Sequence, residues 1–512
     1  MGNSQLISRR DFLKLAMLLP AAYFTMPLLK AAQSGGPGDA KNIIVIVYDA
    51  CSADNVSLYG YQRQTTPNLD RFARNALVYH RNYSAGTFTI PGTASLLTGL
   101  YPWSHRAFLL GAPITPKHQE HQLFEALSPS HSTMGYAQNP LADLFLYEAG
   151  RYLKKHIDSG SFNLQKTLLY NLPFFQNDAA IAYSSFEDNI VQRGLGYDGS
   201  MFFAPLFRLW ALAQRKKIID SHIDDNPRGV PDANKQLFVL DQLVDGAIET
   251  LRGLQEPALT YLHFFPPHEP YRPTQPFYQH FNDGWRPPKK PEHPLAQEKA
   301  SYVASRNSRQ FYDEYLASWD AETGRLFDYL KDSGLLERSY VIITSDHGEI
   351  FERGELGHFT PLMYDPIMHS PLIISTPGLS SGRRDIYTQT SGVDLLPTLA
   401  YLTGNPIPDW AEGQILPGLG GEENPDRGVY TVDAKRNTSF APLTKMSIAL
   451  TRNDHRLVYY RYPELEQFEF YDLANDPEEL QDLYSAQPTL ALQMKAELLD
   501  KLAEVNRPYS KS

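Results

Sequence analysis

Cysteine is almost missing from this chain: Cys51 is the single thiol in 512 residues. That excludes an intrachain disulfide, a cysteine-ligated zinc site and a Cys-x-x-Cys redox pair. Positive charge is also scarce. Lys and Arg number 47 against 58 Asp and Glu, for a net charge of −11. With no basic run outside the N-terminus, the balance argues against a nucleic-acid surface. The apolar stretch at 15–29 is interrupted by Pro20 and Pro27 and falls short of the ~20 residues a membrane-spanning helix needs. Apolar residues make up 42% and charged residues 21%, which excludes a disordered chain, because that much apolar surface can build a core. Proline is plentiful, at 38 residues, and predicts long ordered connections.

The N-terminus differs in kind from the rest. Ser8-Arg9-Arg10-Asp11-Phe12-Leu13-Lys14 precedes the apolar stretch and resembles a twin-arginine export signal. The resemblance implies that 1–34 is a signal, that the chain crosses the membrane through the twin-arginine translocase, and that it works in the periplasm or another extracytoplasmic space. No clear Ala-x-Ala site precedes Gly35, so an uncleaved anchor stays open. The segment 33–41 (QSGGPGDAK) reads as a linker.

Beyond the linker, strands alternate with helices. The run 42–48 (NIIVIVY) suits a strand buried on both faces and stops at Asp49. Pro67 opens a predicted helix carrying Leu69, Phe72, Ala73, Ala76 and Leu77 at helical spacing. Strands are predicted at 258–265, ending near His268, at 340–345, ending at Asp346-His347, and at 371–375. A helix is predicted at 312–330 with Gly334 as its cap. This order predicts a parallel α/β sheet, whose ligands bind past the carboxyl ends of the strands. Asp49, His268, Asp346 and His347 all fall there. The segments 141–155 and 202–217 read as helices of an insertion at about 108–250, in a catalytic unit of 35–424. Short strands at 447–450, 456–462 and 468–471 with a helix near 490–503 predict a small α+β subdomain at 425–512.

Four pieces carry chemistry: Asp49, the segment 87–99 (TFTIPGTASLLTG), His268 in PPHEPY, and SDHGE at 345–349 with His358 beyond it. In this order they resemble the sulfatase and alkaline phosphatase superfamily, in its sulfatase-like branch. YGYQRQTTPNLDRFA, TGLYP and the tail FEFYDLANDPEELQDL extend the resemblance over most of the chain. It implies a three-layer alkaline-phosphatase-like α/β fold with a mostly parallel central sheet. It implies one divalent metal ion (Ca, Mg, Mn or Zn) held by Asp49, Thr89, Asp346 and His347. Thr89 falls at the nucleophile position, with His268 and His358 where relatives contact ester oxygens or protonate the leaving group. A divalent ion lowers the pKa of a bound hydroxyl and offsets the charge of a tetrahedral oxyanion ester. Pro91 places Thr89 near a helix N-terminus, where free amides favour an anion.

The chain also departs from that family. Sulfatases carry Cys or Ser in Cys-x-Pro-Ser-Arg and oxidise it to formylglycine. Here Thr89 and Thr93 take the first and last places, and threonine, with a methyl on Cβ, cannot become an aldehyde. Ala50 replaces a second aspartate ligand, and Gly324 stands where two-zinc relatives have His four residues after Asp320. Three functions follow: a hydrolase or phosphotransferase of phosphate mono- or diesters through a covalent Thr89 intermediate, a sulfuric ester hydrolase without formylglycine, and a non-catalytic envelope binding protein. The expected substrate is a small-molecule, lipid or glycan ester.

Overall fold

The computed structural model describes residues 41–164, 204–233, 236–378 and 382–510. The export signal expected at 1–34 lies outside them, as do the first two residues of the segment 202–217. In chain order the elements that build the catalytic unit are β1 (Asn42–Asp49), α1 (Pro67–Phe72), β2 (Leu77–Tyr79), α2 (Thr89–Thr98), β3 (Ser132–Ala137), α3 (Pro140–Glu148), β4 (Lys155–Ile157), α4 (Ala204–His222), α5 (Leu240–Arg252), β5 (Ala258–Pro267), α6 (Tyr302–Asp332), β6 (Ser339–Ser345), β7 (Leu372–Ser375), β8 (Arg384–Ile386) and α7 (Leu395–Leu402). The strands form one eight-stranded sheet in the order β8-β2-β7-β6-β1-β5-β3-β4.

β1 is buried at every position because both its faces are covered. Ile44, Ile46 and Tyr48 pack on one side with Leu243 of α5 and Tyr312 and Trp319 of α6. Ile43, Val45 and Val47 pack on the other with Ile90 and Leu97 of α2, Phe145 of α3 and Leu399 of α7. Helices on both faces make the three layers, each buried aliphatic side chain contributing about 2 kcal/mol. The chain's last part forms an antiparallel sheet of β9 (Val429–Asp433), β10 (Met446–Arg452), β11 (His455–Tyr462) and β12 (Leu465–Asp472), backed by α8 (Thr489–Asn506). Its apolar face shares a core with Tyr101, Trp103 and Val393 of the preceding unit.

Four sequence expectations need correction. β7, the strand expected at 371–375, runs antiparallel to both β6 and β2. The chain leaving β6 stays at the carboxyl end of the sheet, through the hairpin of Ile350–Glu352 and Glu355–Gly357, so the next strand enters from that end and runs back. The helix opened by Pro67 stops at Phe72, and Leu77 opens β2 instead; the Leu-Val-Tyr run is a better sheet than helix former. The stretch 108–250 is not a purely helical insertion, since it supplies β3 and β4 to the main sheet. β3 reads STMGYA and shows no β-branched run, so pairing with β5 rather than local propensity makes it a strand. The helix expected at 312–330 begins ten residues earlier, at Tyr302, where the Ser301 hydroxyl accepts from the Ala304 amide at 3.3 Å.

A buried histidine clamps α2. His105 Nδ1 accepts the Ala107 amide at 3.0 Å, and Nε2 lies 3.1 Å from the Ser95 hydroxyl. Burial first, then the charge of His118, push its pKa down to about 3. An unfolded histidine titrates near about 6.5, so below that pH the unfolded chain binds the extra proton. Stability is therefore lost as pH falls, by up to about 1.4 kcal/mol per pH unit. His105→Gln keeps a donor toward Ser95 and cannot titrate. Melting curves across the acid limb should show a steeper loss for wild type than for this variant; equal slopes would remove His105 from the account.

Candidate active site

The sheet register assembles the site. In the parallel pair of β1 and β6, Tyr48 faces Ser345, so the next residues, Asp49 and Asp346, leave the sheet together at its carboxyl end. There β1 turns sharply, with Ala50 left-handed at φ 59°. The Tyr312 hydroxyl holds that turn, donating to the Ala50 carbonyl at 2.8 Å and accepting the Ser52 amide at 3.1 Å. The Ser345 hydroxyl accepts the Cys51 amide at 2.9 Å and ties the two strand ends together.

Thr89 is the first residue of α2 and is 2% exposed. No side chain caps that end, so its amides stay available. α2 can sit this close because Gly92 has no side chain: a Cβ there would lie 2.2 Å from the Asp346 carbonyl oxygen. One turn after Thr89, the Thr93 hydroxyl donates to Asp346 Oδ2 at 3.3 Å.

Asp49, Asp346 and His347 are fully buried, and one ligand atom from each lies within 4.8 Å of the others. His347 Nε2 is 3.4 Å from Asp49 Oδ1, 3.7 Å from Asp346 Oδ2 and 3.4 Å from Thr89 Oγ1. Its Nδ1–H donates to the Gly348 carbonyl at 2.9 Å, which turns the Nε2 lone pair inward. Asp346 Oδ1 accepts the His347 amide at 3.0 Å and the Ala50 amide at 3.3 Å. Asp49 Oδ1 is buried without any hydrogen-bond partner. An orphaned carboxylate oxygen facing a second carboxylate and an imidazole lone pair is the donor set a divalent cation requires.

The charges in this cluster perturb one another strongly. Burial raises the Asp346 carboxyl, and the Asp49 charge adds to the rise. Burial would also raise Asp49, but His268 first, then His263 and His347, hold it well below the usual carboxylate range. Burial lowers His347, yet the Asp346 and Asp49 charges outweigh it and lift the imidazole to about 9. The two buried carboxylates thus split, Asp49 held ionised by the surrounding imidazoles and Asp346 pushed toward its neutral form.

His268 and His358 flank this cluster, with ring centroids 4.7 Å apart, and His358 lies 4.6 Å from the His347 ring. His268 Nδ1–H donates to the Glu269 carbonyl at 2.7 Å. His358 Nδ1 is 3.1 Å from Glu349 Oε2. Burial, then the His347 charge, lower His358 to about 3. Burial lifts Glu349 to about 7, against the lowering charges of His268 and His347. Asp320 lies elsewhere: it accepts the Asn68 and Leu69 amides at 2.8 and 2.9 Å and so caps α1.

Two site residues escaped the sequence reading. Asn139 follows β3; its Oδ1 accepts the Leu141 amide at 3.0 Å, capping α3, while Nδ2 donates to Asp49 Oδ2 at 2.6 Å and reaches to 3.4 Å of Thr89 Oγ1. The Asn-Pro helix start was a legible signal once β3 is known to be a strand. His263 lies inside β5, paired with Val47, and looked like one more strand residue. At the mouth, Phe359 is 46% exposed and packs edge-on against Phe88.

Known proteins share both fold and sequence. The family model described as Sulfatase matches residues 41–156 and 170–405, and that of the N-sulphoglucosamine sulphohydrolase C-terminal region matches 354–507. Arylsulfatase K of Xenopus laevis is 31% identical over 199 residues, 38% of this chain and 37% of that protein. Choline-sulfatase of Rhizobium meliloti (strain 1021) is 30% identical over 183 residues, 35% of this chain and 33% of its own length. The chain thus matches only about a third of each of these relatives. The multifunctional alkaline phosphatase superfamily protein PehA of Trinickia caryophylli is 23% identical over 86% of this chain and 91% of that protein. Phosphonate monoester hydrolase of Agrobacterium radiobacter shares the fold with a TM-score of 0.63 at 18% identity, covering 91% of this chain and 96% of its own. The Sulfatase match spans well over half of the chain and contains every candidate site residue described above, so the chain belongs to the sulfatase family.

Proposed function

We propose that the protein is an exported, metal-dependent hydrolase or phosphotransferase of phosphate mono- or diesters, acting through a covalent intermediate on Thr89. The observation that carries this is the hydroxyl of a threonine at the start of α2, 3.4 Å from His347 Nε2. A formylglycine hydrate releases sulfate by collapsing to the aldehyde; threonine has no such exit. Phosphothreonine can be attacked at phosphorus by water or by another hydroxyl.

Asp49, Asp346, His347 and Thr89 would hold one divalent ion. When bound, it supplies charge to offset the oxyanion and acidity to the Thr89 hydroxyl. Thr89 then reacts as the alkoxide, its proton gone to solvent. Its Oγ1–P bond forms as the bond from phosphorus to the leaving oxygen breaks. His268 would give that oxygen a proton. In the second half water attacks phosphorus, returns a proton to the same imidazole, and Thr89 leaves. Asn139 steers the hydroxyl, and the free amides of α2 face the anion. The SRRDFLK segment supports export by the twin-arginine translocase to the periplasm. Among the described residues, no helix is long and apolar enough to cross a membrane.

A second reading, sulfuric ester hydrolysis without formylglycine, draws on the names of the relatives. Parallel rates on an aryl phosphodiester, an aryl phosphate and an aryl sulfate separate the two. The expected result is a phosphoryl substrate as the best, with a phosphoryl mass increment on Thr89 after brief exposure. Sulfate turnover above both, with an unmodified Thr89, overturns the proposal.

A further inference from the structure

We infer that His263 is an additional nitrogen ligand of the metal centre, which makes it a two-aspartate, two-histidine site. The inference rests on the reading of Asp49, Asp346 and His347 as metal ligands. His263 lies on β5, next to β1 in the sheet, and is 0% exposed. Its register partner is Val47, two residues before Asp49, with a bulge between Tyr48 and Asp49.

Both ring nitrogens are informative. Nδ1 is 3.1 Å from the hydroxyl of Tyr261, two residues back on the same strand face. Nε2 is buried with no hydrogen-bond partner. It sits 3.5 Å from Asp49 Oδ2 and 3.7 Å from Asp346 Oδ2. His347 Nε2 keeps almost the same distances, 3.4 and 3.7 Å, from the same two carboxylates. Each imidazole therefore stands toward the aspartate pair as the other does.

These spacings decide between two roles. A histidine placed to donate to a carboxylate would bring nitrogen to about 2.7–3.2 Å of oxygen. Two donors that share one ion at about 2.1 Å each are held roughly 3–3.6 Å apart. His263 is at the second distance from Asp49, at 3.5 Å, and just beyond it from Asp346, at 3.7 Å; both lie outside the hydrogen-bonding range. A core histidine with a purely packing role also satisfies both nitrogens, because an unpartnered buried polar atom is costly. Here one nitrogen is anchored by Tyr261 and the other is left over, aimed at the two aspartates. With Nδ1–H donating to the Tyr261 oxygen, the Nε2 lone pair is free to bind.

The donor set then constrains the ion. Calcium and magnesium prefer all-oxygen shells, whereas imidazole suits zinc and other first-row ions such as manganese. Two imidazoles beside two carboxylates move the site toward zinc or manganese and away from calcium.

The test uses the full-length wild-type protein loaded with Mn²⁺. Electron spin-echo spectra resolve nitrogen couplings from bound imidazole. Two imidazole couplings are expected in wild type and one in His263→Gln. Chelator competition should show the Mn²⁺ affinity of His263→Gln reduced by about 10- to 100-fold, and wild type should bind Mn²⁺ more tightly than Ca²⁺. Tyr261→Phe, which frees the ring, should weaken Mn²⁺ by less. If His263→Gln does not fold, the wild-type spectrum alone decides. Stoichiometric Mn²⁺ with a single imidazole coupling overturns the role of His263 and leaves the metal site intact. Failure of wild type to bind Mn²⁺, Zn²⁺ or Ca²⁺ overturns the metal reading itself.

Discussion

Thr89→Ala is expected to lower kcat on the best substrate by about 10³-fold or more, on the order of 4 kcal/mol of added barrier. The substitution deletes the oxygen proposed to form the covalent bond, which lies 3.4 Å from His347 Nε2. It should do so without unfolding the protein. The hydroxyl makes only long contacts, at 3.4 Å to His347 Nε2 and 3.4 Å to Asn139 Nδ2, and the alanine keeps the helix start. The melting temperature should therefore stay near wild type while the rate collapses. Thr89→Ser restores the hydroxyl and should recover measurable turnover. Thr89→Cys should gain no sulfatase activity even beside a formylglycine-generating enzyme. By the resemblance, Thr93 stands where the maturation pattern has arginine, and its hydroxyl donates to Asp346. Near-native rates for Thr89→Ala would end the covalent mechanism.

The chemistry was legible where strands end in polar residues. NIIVIVY followed by Asp49, and YVIITS followed by Asp346-His347, mark both the strand and the polar residues at its end, since a buried parallel strand is a nearly unbroken apolar run. α2 was legible from Pro91, which marks a helix start. Elements made by long-range pairing were hidden. β3 (STMGYA) has mixed propensity and becomes a strand because β5 lies beside it. Asn139 at its end was hidden with it. His263 was hidden for a different reason. In a strand buried on both faces the usual alternation of polar and apolar residues vanishes, so nothing local tells an imidazole aimed at the site from one packed in the core. The direction of β7 was also beyond reach, because four buried residues read alike in either direction.

Seven of the eight central strands run parallel, and the one reversed strand lies two places from β1. The reversal leaves the carboxyl ends of β1, β5 and β6 together, and these ends carry the site. α2 is then pressed onto that edge. Its axis delivers Thr89 and Thr93, one turn apart, to His347 and Asp346. The site is therefore only as accurate as the contact between α2 and the turn after β6.

That contact makes Gly92→Ala the second large effect. The added Cβ would lie 2.2 Å from the Asp346 carbonyl oxygen and 2.9 Å from the carbonyl carbon. Both are backbone atoms, so no side-chain rotation relieves the clash. Either α2 lifts away or the Asp346 turn is pushed back. α2 is buried at all ten positions, so lifting it disturbs packing on every side. Overpacking of this kind costs about 1–3 kcal/mol or more. The cost to activity should be larger than the cost to stability. Moving Thr89 by about 1 Å from Asp49 and His347 removes on the order of 10²-fold in rate. Helix propensity pulls the other way, since alanine favours a helix interior over glycine by about 1 kcal/mol. Net destabilisation should therefore be modest. The expected outcome is a folded protein with a melting temperature lowered by several degrees, a kcat down by at least about 10²-fold, and weakened metal binding. Gly60→Ala serves as the control: a Cβ at Gly60 meets nothing within 4 Å, and any cost there comes from its left-handed φ of 96° alone. It should leave the rate and the metal affinity unchanged. If Gly92→Ala instead keeps wild-type rate and metal affinity, the close approach of α2 to Asp346 does not set the geometry of the site.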